Sequence, residues 1–218
     1  MRPETVALLA AGAGLLVVLL PGPWRVARNV ITIVHEAGHA LTALLAGRRL
    51  RGIRLHSDTS GLTLSRGRPD GPGMVCTALA GYPAPSLLGL GYAALLAAGV
   101  ENGPLVVSAV LLTGVLVMVR NAYGVVSVLL TGAALAAVAW LASAPVQAAF
   151  AQAVTWLLLF GGLRPVGELQ RKRRRGHVHD SDADLLGRLT ATPGLFWVTV
   201  FGLVGIGALL LAGGWLLV

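Results

Sequence analysis

An all-α polytopic membrane fold of about seven transmembrane helices follows from three features of this chain. Of its 218 residues, 56% are hydrophobic and only 12% are charged, about half the charged share of a soluble domain. One small globule cannot hide that much apolar surface, so lipid must serve as the solvent. The apolar residues also fall in runs near the length of a bilayer crossing, separated by Pro/Gly punctuation or by arginine clusters.

Seven runs can be drawn, at about 5–20, 24–46, 74–99, 104–119, 122–142, 146–163 and 195–218. The first has the apolar core of a secretory signal, but no small-x-small cleavage site follows it. It is therefore expected to remain as a span. Pro21-Gly22-Pro23, Asn102-Gly103-Pro104 and Ser143-Ala144-Pro145 mark breaks between runs. Residues 1–218 read as one membrane-embedded domain, with a core over 24–142, a basic loop over 164–180 and a final span over 195–218.

Charge sets the expected orientation. The net charge is +8, and most of it lies in two segments. One holds Arg48, Arg49, Arg51, Arg54, Arg66 and Arg68; the other holds Arg164, Arg171, Lys172, Arg173, Arg174, Arg175 and Arg188. Seven crossings with a cytoplasmic N-terminus put both segments, Arg2 and Arg120 inside, leaving Arg25 and Arg28 outside. That satisfies the positive-inside rule and predicts a multi-pass protein of the inner (cytoplasmic) membrane. Basic residues confined between apolar runs also argue against nucleic acid as a partner. The lipid bilayer is the expected one, with the run Arg171 to Arg175 at anionic headgroups. A single cysteine, Cys76, excludes an internal disulfide.

One stretch departs from the helical pattern. Ile53 and Leu55 alternate with polar residues, Asp58-Thr59-Ser60-Gly61 supplies a turn, and Leu62 and Leu64 alternate again. This predicts a small β-hairpin at the cytoplasmic surface. Its open edge can accept an extended peptide; the alternative is an ordered loop with no binding role.

The chemistry sits in His35-Glu36-Ala37-Gly38-His39. Histidines four apart on a helix share a face, one turn apart, so both imidazoles can reach one ion. Glu36 beside them can take a proton from water. Zinc suits such a donor set, because it accepts imidazole nitrogen and carboxylate oxygen and keeps a position open. Apolar residues flank the motif on both sides, and three ionisable groups in an apolar helix are costly unless functional. The bland reading is a polar cluster that holds helices together.

These residues resemble the site-2 protease group of intramembrane zinc metallopeptidases, in a compact bacterial branch without a PDZ domain. The likeness covers about residues 24–130, and its most specific element is the HExxH sequence. It implies His35 and His39 as zinc ligands and Glu36 as the catalytic acid/base. Ala80-Gly81-Tyr82-Pro83-Ala84-Pro85 stands where that group has Gly-Pro-x-x-Asn, although no Asn follows here. The group's third ligand usually comes from Leu-Asp-Gly in a later span, and no Asp or Glu occurs between Gly103 and Gly167. Arg120-Asn121 occupies about that place.

A catalytic zinc site needs one more donor. Asp182, Asp184, Asn121, His56 and Asp58 are the candidates. Asp182 is preferred and Asp184 is the alternative, since Ser181-Asp182-Ala183-Asp184 follows the basic loop and can fold back. The competing reading of that segment is a helix cap. Asn121, Gly61 and Thr63 are the expected substrate contacts. His177 and His179, beside five basic residues, read as a solvated loop, with a secondary metal site as the alternative. The expected function is Zn2+-dependent endoproteolysis of a membrane-protein helix, locally unwound. The rival is a non-catalytic membrane scaffold or regulator retaining the fold.

Overall fold

The computed structural model describes residues 3–176 and 180–217; Arg2, His177 and His179 lie outside them. The chain runs α1 (Pro3–Leu19), α2 (Pro21–Leu45), β1 (Arg49–Leu55), β2 (Gly61–Arg66), α3 (Pro72–Leu79) and α4 (Ala84–Ala97). It continues through α5 (Gly103–Met118), α6 (Ala122–Leu141), α7 (Ala144–Arg174), α8 (Asp182–Thr190) and α9 (Gly194–Leu216). Among the described residues, α6, α7 and α9 are each long and apolar enough to cross a membrane. The total is five if the bent pairs α1–α2 and α3–α4 each count as one span. The 16-residue α5 is shorter but equally apolar.

Proline placement explains the breaks. Leu20 precedes Pro21, whose ring disfavours helical geometry before it, and Leu20 is extended at φ −78°, ψ 129°. The chain turns by 100° there, and Pro21 opens α2, where its missing N–H costs nothing. A second bend of 71° separates α3 from α4 at Ala80-Gly81-Tyr82-Pro83.

The elbow at Leu20 changes the expected topology. Gly14 packs on Trp156, where an added Cβ would stand 3.2 Å from the Trp156 Cβ. One turn on, the Val18 carbonyl accepts from Arg164. So α1 runs alongside α7 in the same direction. Its early residue Ala10 clusters with Ala208 and Ala212 near the end of α9.

The polar partners of the first turns of α2 belong to the other end of the bundle. Arg164 lies over Trp24 at 4.7 Å, Arg28 pairs with Glu168 at 3.0 Å, and the Tyr123 hydroxyl donates to Asn29 at 3.1 Å. Ala46, just past the last turn, lies by Gly73 at the start of α3. The helix therefore lies across the bundle and does not traverse it, crossing α7 where Ile31 fills the space over Gly161. Two expectations are corrected. Residues 5–20 and 24–46 are not consecutive crossings of opposite direction, and the start of α1 and the hairpin occupy opposite ends of the bundle.

A third correction concerns the basic segment. Residues 164–174 are not loop, because α7 continues through Pro165 to Arg174. Charged residues on a long helix can leave the apolar zone without ending it.

The hairpin is antiparallel, with Ile53 opposite Thr63 and Leu55 opposite Gly61. A register shift between Leu50 and Gly52 coincides with φ +144° at Gly52, where any Cβ would also lie 3.0 Å from the Met118 carbonyl oxygen. Only glycine fits there. The other side of β1 is occupied: Ile53 bridges Val119, and the Arg120 N–H donates to the Ile53 carbonyl at 2.8 Å. Ile53 and Leu55 are buried in a core with Ile33, Leu112 and Val128.

Candidate metal centre

The transverse helix α2 sorts its residues by face. Val34, Ala37, Ala40 and Leu41 line an apolar cavity with α4 and α5. His35, Glu36 and His39 turn toward the hairpin and α8. Gly38 allows this, because a Cβ there would stand 2.6 Å from the Ala84 Cβ and 2.8 Å from the Ala80 carbonyl oxygen.

Among the described residues, one group of His, Cys, Asp or Glu side chains converges closely enough to hold a metal: His35, His39 and Asp182. The His35 and His39 Nε2 atoms are 3.1 Å apart. Asp182 Oδ2 lies 3.3 Å from the first and 3.2 Å from the second. A tetrahedral ion with ligands at about 2.0–2.1 Å sets its donor atoms about 3.3 Å apart. The triangle thus fits zinc in size and donor type.

Neighbouring groups orient the donors. The Thr77 carbonyl oxygen lies 2.7 Å from His39 Nδ1, which places the proton on Nδ1 and leaves the Nε2 lone pair for an ion. Tyr82 meets the His35 ring edge-on at 4.9 Å and stacks on Phe201, also at 4.9 Å. Gly81 lies against both imidazoles; a Cβ there would stand 2.5 Å from His39 Cε1 and 2.7 Å from His35 Cε1. Burial opposes ionisation of Asp182, but His39 and His35 outweigh it and hold the carboxyl below its ordinary pKa. That is the charged form a metal site requires.

Glu36 is buried and held from the hairpin. Thr63 Oγ1 donates to Glu36 Oε2 at 2.6 Å. Gly61 leaves room for the carboxylate, since a Cβ would lie 2.6 Å from Glu36 Cγ and 2.7 Å from Cδ. The expected substrate contacts Gly61 and Thr63 therefore touch Glu36 itself.

The remaining candidates are engaged elsewhere. Asp184 forms a capping box with Ser181 and an ion pair with Arg173. Cap and donor are thus divided between two aspartates of one segment. Asn121 accepts from the Leu55 N–H at 3.2 Å and donates to the Leu55 carbonyl at 2.7 Å, pinning β1 to α6. Asp58 caps the hairpin turn, accepting from Ser60 Oγ at 2.7 Å and Ser60 N at 2.9 Å. Those bonds hold its carboxyl below the usual range, and His56 sits exposed beside it. Thr77 and Tyr82 were not legible as site residues, because only the fold brings α3 and the following bend against α2. Gly81 had one signal, its place in the segment that resembles Gly-Pro-x-x-Asn.

A family model described as Peptidase M50B-like matches residues 7–212. No curated protein and no solved structure matches the chain. The match spans nearly the whole sequence and includes every residue of the His35–His39–Asp182 centre. The chain belongs to the M50B-like peptidase family.

Proposed function

We propose that this membrane peptidase is a zinc-dependent intramembrane endopeptidase, with His35, His39 and Asp182 as ligands and Glu36 as the acid/base. The observation that carries the reading is the triangle of donor atoms 3.1–3.3 Å apart, on a helix whose next side chain is a buried carboxylate. Zinc, when bound, supplies a Lewis acid that makes water nucleophilic near neutral pH. Glu36 accepts the proton of that water and passes it to the leaving amine nitrogen. Thr63 holds one carboxylate oxygen so that Glu36 keeps a fixed aim.

The substrate is a membrane-protein segment in extended form. Among the described residues no strand pairs with the outer edge of β2, the strand that carries Gly61 and Thr63. Main-chain pairing along that edge would bring a peptide past Glu36.

The orientation follows from charge on the corrected topology. With α2 lying across the bundle, the crossings are α1, α3–α4, α5, α6, α7 and α9. Every Lys and Arg except Arg2 then belongs to the hairpin face or to the elbow on that side. The positive-inside rule makes that face cytoplasmic in the inner membrane and puts both termini outside.

The test is Glu36→Gln. It should keep zinc and lose cleavage of a reporter membrane substrate, because an amide cannot accept the proton. Normal cleavage by this variant would remove Glu36 from the chemistry and favour a scaffold.

A further inference from the structure

The five basic residues 171–175 are not equivalent. Arg171, Lys172, Arg174 and Arg175 are exposed, whereas Arg173 is half-buried. Its guanidinium pairs with Asp184 and lies 3.5 Å from Ser181 Oγ. On its other side it rests on Gly194, where a Cβ would stand 3.0 Å from Arg173 Cζ. One side chain therefore ties the end of α7 to the starts of α8 and α9.

What it ties down is the residue between its partners. Asp182 is the first residue of α8. Ser181 Oγ donates to Asp184 Oδ2 at 2.6 Å and accepts from the Asp184 N–H at 3.3 Å. The first turn of α8 is thus closed on itself by the capping box, and Arg173 clamps that box to α7. Further along α8, Trp197 Nε1 donates to Thr190 Oγ1 at 3.2 Å, and Ala183, Leu185 and Leu186 pack against neighbours such as Val166 and Phe201. Apolar contact of this kind resists separation, but it does not fix rotation of the first turn.

We propose that Arg173 is a positioning residue of the metal centre, locking the α8 cap so that the Asp182 carboxylate meets His35 and His39. The inference rests on the reading of Asp182 as a ligand and assigns to Arg173 what composition assigns to headgroup contact. The sign of the effect makes it testable. A cation near a metal site repels the ion, so neutralising a merely nearby arginine leaves zinc binding unchanged or slightly tighter. Removing a group that orients a ligand weakens metal binding, typically by about 10- to 100-fold.

The experiment measures zinc affinity of the full-length protein in detergent, by chelator competition with Zn2+ alone. Arg173→Gln should weaken binding by at least about tenfold, Arg173→Lys should recover most of it, and Arg174→Gln should bind as wild type does. Asp184→Asn should match Arg173→Gln, and the double variant should be no worse than either, since one contact is lost in each. Asp184→Asn also carries the test if Arg173→Gln does not fold. Wild-type affinity in both single variants, or an equal loss in Arg174→Gln, overturns the proposal. Asp182→Asn separates the two levels. If it keeps zinc, the ligand assignment fails; if it loses zinc while Arg173→Gln and Asp184→Asn keep it, only the role of Arg173 fails.

Discussion

Thr63 of the hairpin donates its hydroxyl to the Glu36 carboxylate of α2 over 2.6 Å. A surface strand thus holds the carboxylate proposed to move a proton, and among the described residues no strand pairs with its outer edge. A hydrogen bond to a charged group contributes about 1.5–3 kcal/mol. Not all of it need be specific to the transition state. Thr63→Val keeps the shape and removes the donor. It should lower kcat by roughly tenfold, equivalent to about 1.4 kcal/mol, with zinc content unchanged. Unchanged turnover would make Thr63 a packing residue.

Gly81 should tolerate no side chain. A methyl there would press on both imidazoles, so Gly81→Ala should cut zinc affinity by at least about tenfold. At Gly91, in the following helix, an added Cβ would meet nothing within 4 Å, and Gly91→Ala should bind zinc normally. Equal affinity in the two variants would show that the bend at Ala80–Pro83 yields easily.

The charge cluster at the elbow supports α2. Glu168 pairs with Arg28 of α2 and with Arg164 of its own helix, each at 3.0 Å, and Arg164 also reaches the last turn of α1. Glu168→Ala leaves two cations facing each other in a half-buried site. Breaking a buried pair from one side costs about 3–5 kcal/mol; partial exposure here puts the expected loss nearer about 2 kcal/mol. A clear drop in thermal midpoint in detergent is the readout. An unchanged midpoint would mean that water already solvates both arginines.

Topology gives a prediction that separates the two arrangements of α1 and α2. Reporter fusions after residues 68 and 176 should lie in the cytoplasm, and one at Gly103 should lie outside. An N-terminal tag should also lie outside. A cytoplasmic N-terminal tag would restore seven crossings and contradict the parallel packing of α1 on α7.

The sequence and the structure agree where chemistry is local and part where packing decides. The His35 and His39 spacing is a property of any helix, so their convergence was legible. Asp182 was reachable by elimination, because acids are scarce in an apolar chain. The sequence carried a preference for Asp182 over Asp184 but no physical ground for it, since either aspartate fits a cap; in the fold the capping box and Arg173 take Asp184, and the histidines meet Asp182. The transverse course of α2 was hidden because apolar residues read alike in a crossing helix and in one lying buried across a bundle. Charge counting then went astray at Arg25 and Arg28, whose place depends on that course. Asn121 read as a site residue because a polar side chain beside a membrane helix invites that reading, whereas the hairpin backbone takes both ends of its amide.

The most direct test of the zinc assignment is metal stoichiometry and ligand type in the purified full-length protein, by metal analysis with X-ray absorption at the zinc edge. The expected result is one zinc per chain with two imidazole nitrogens and a carboxylate oxygen among its ligands, and loss of the ion in Asp182→Ala and in His39→Ala. Full zinc occupancy with an unaltered ligand signature in Asp182→Ala would contradict it.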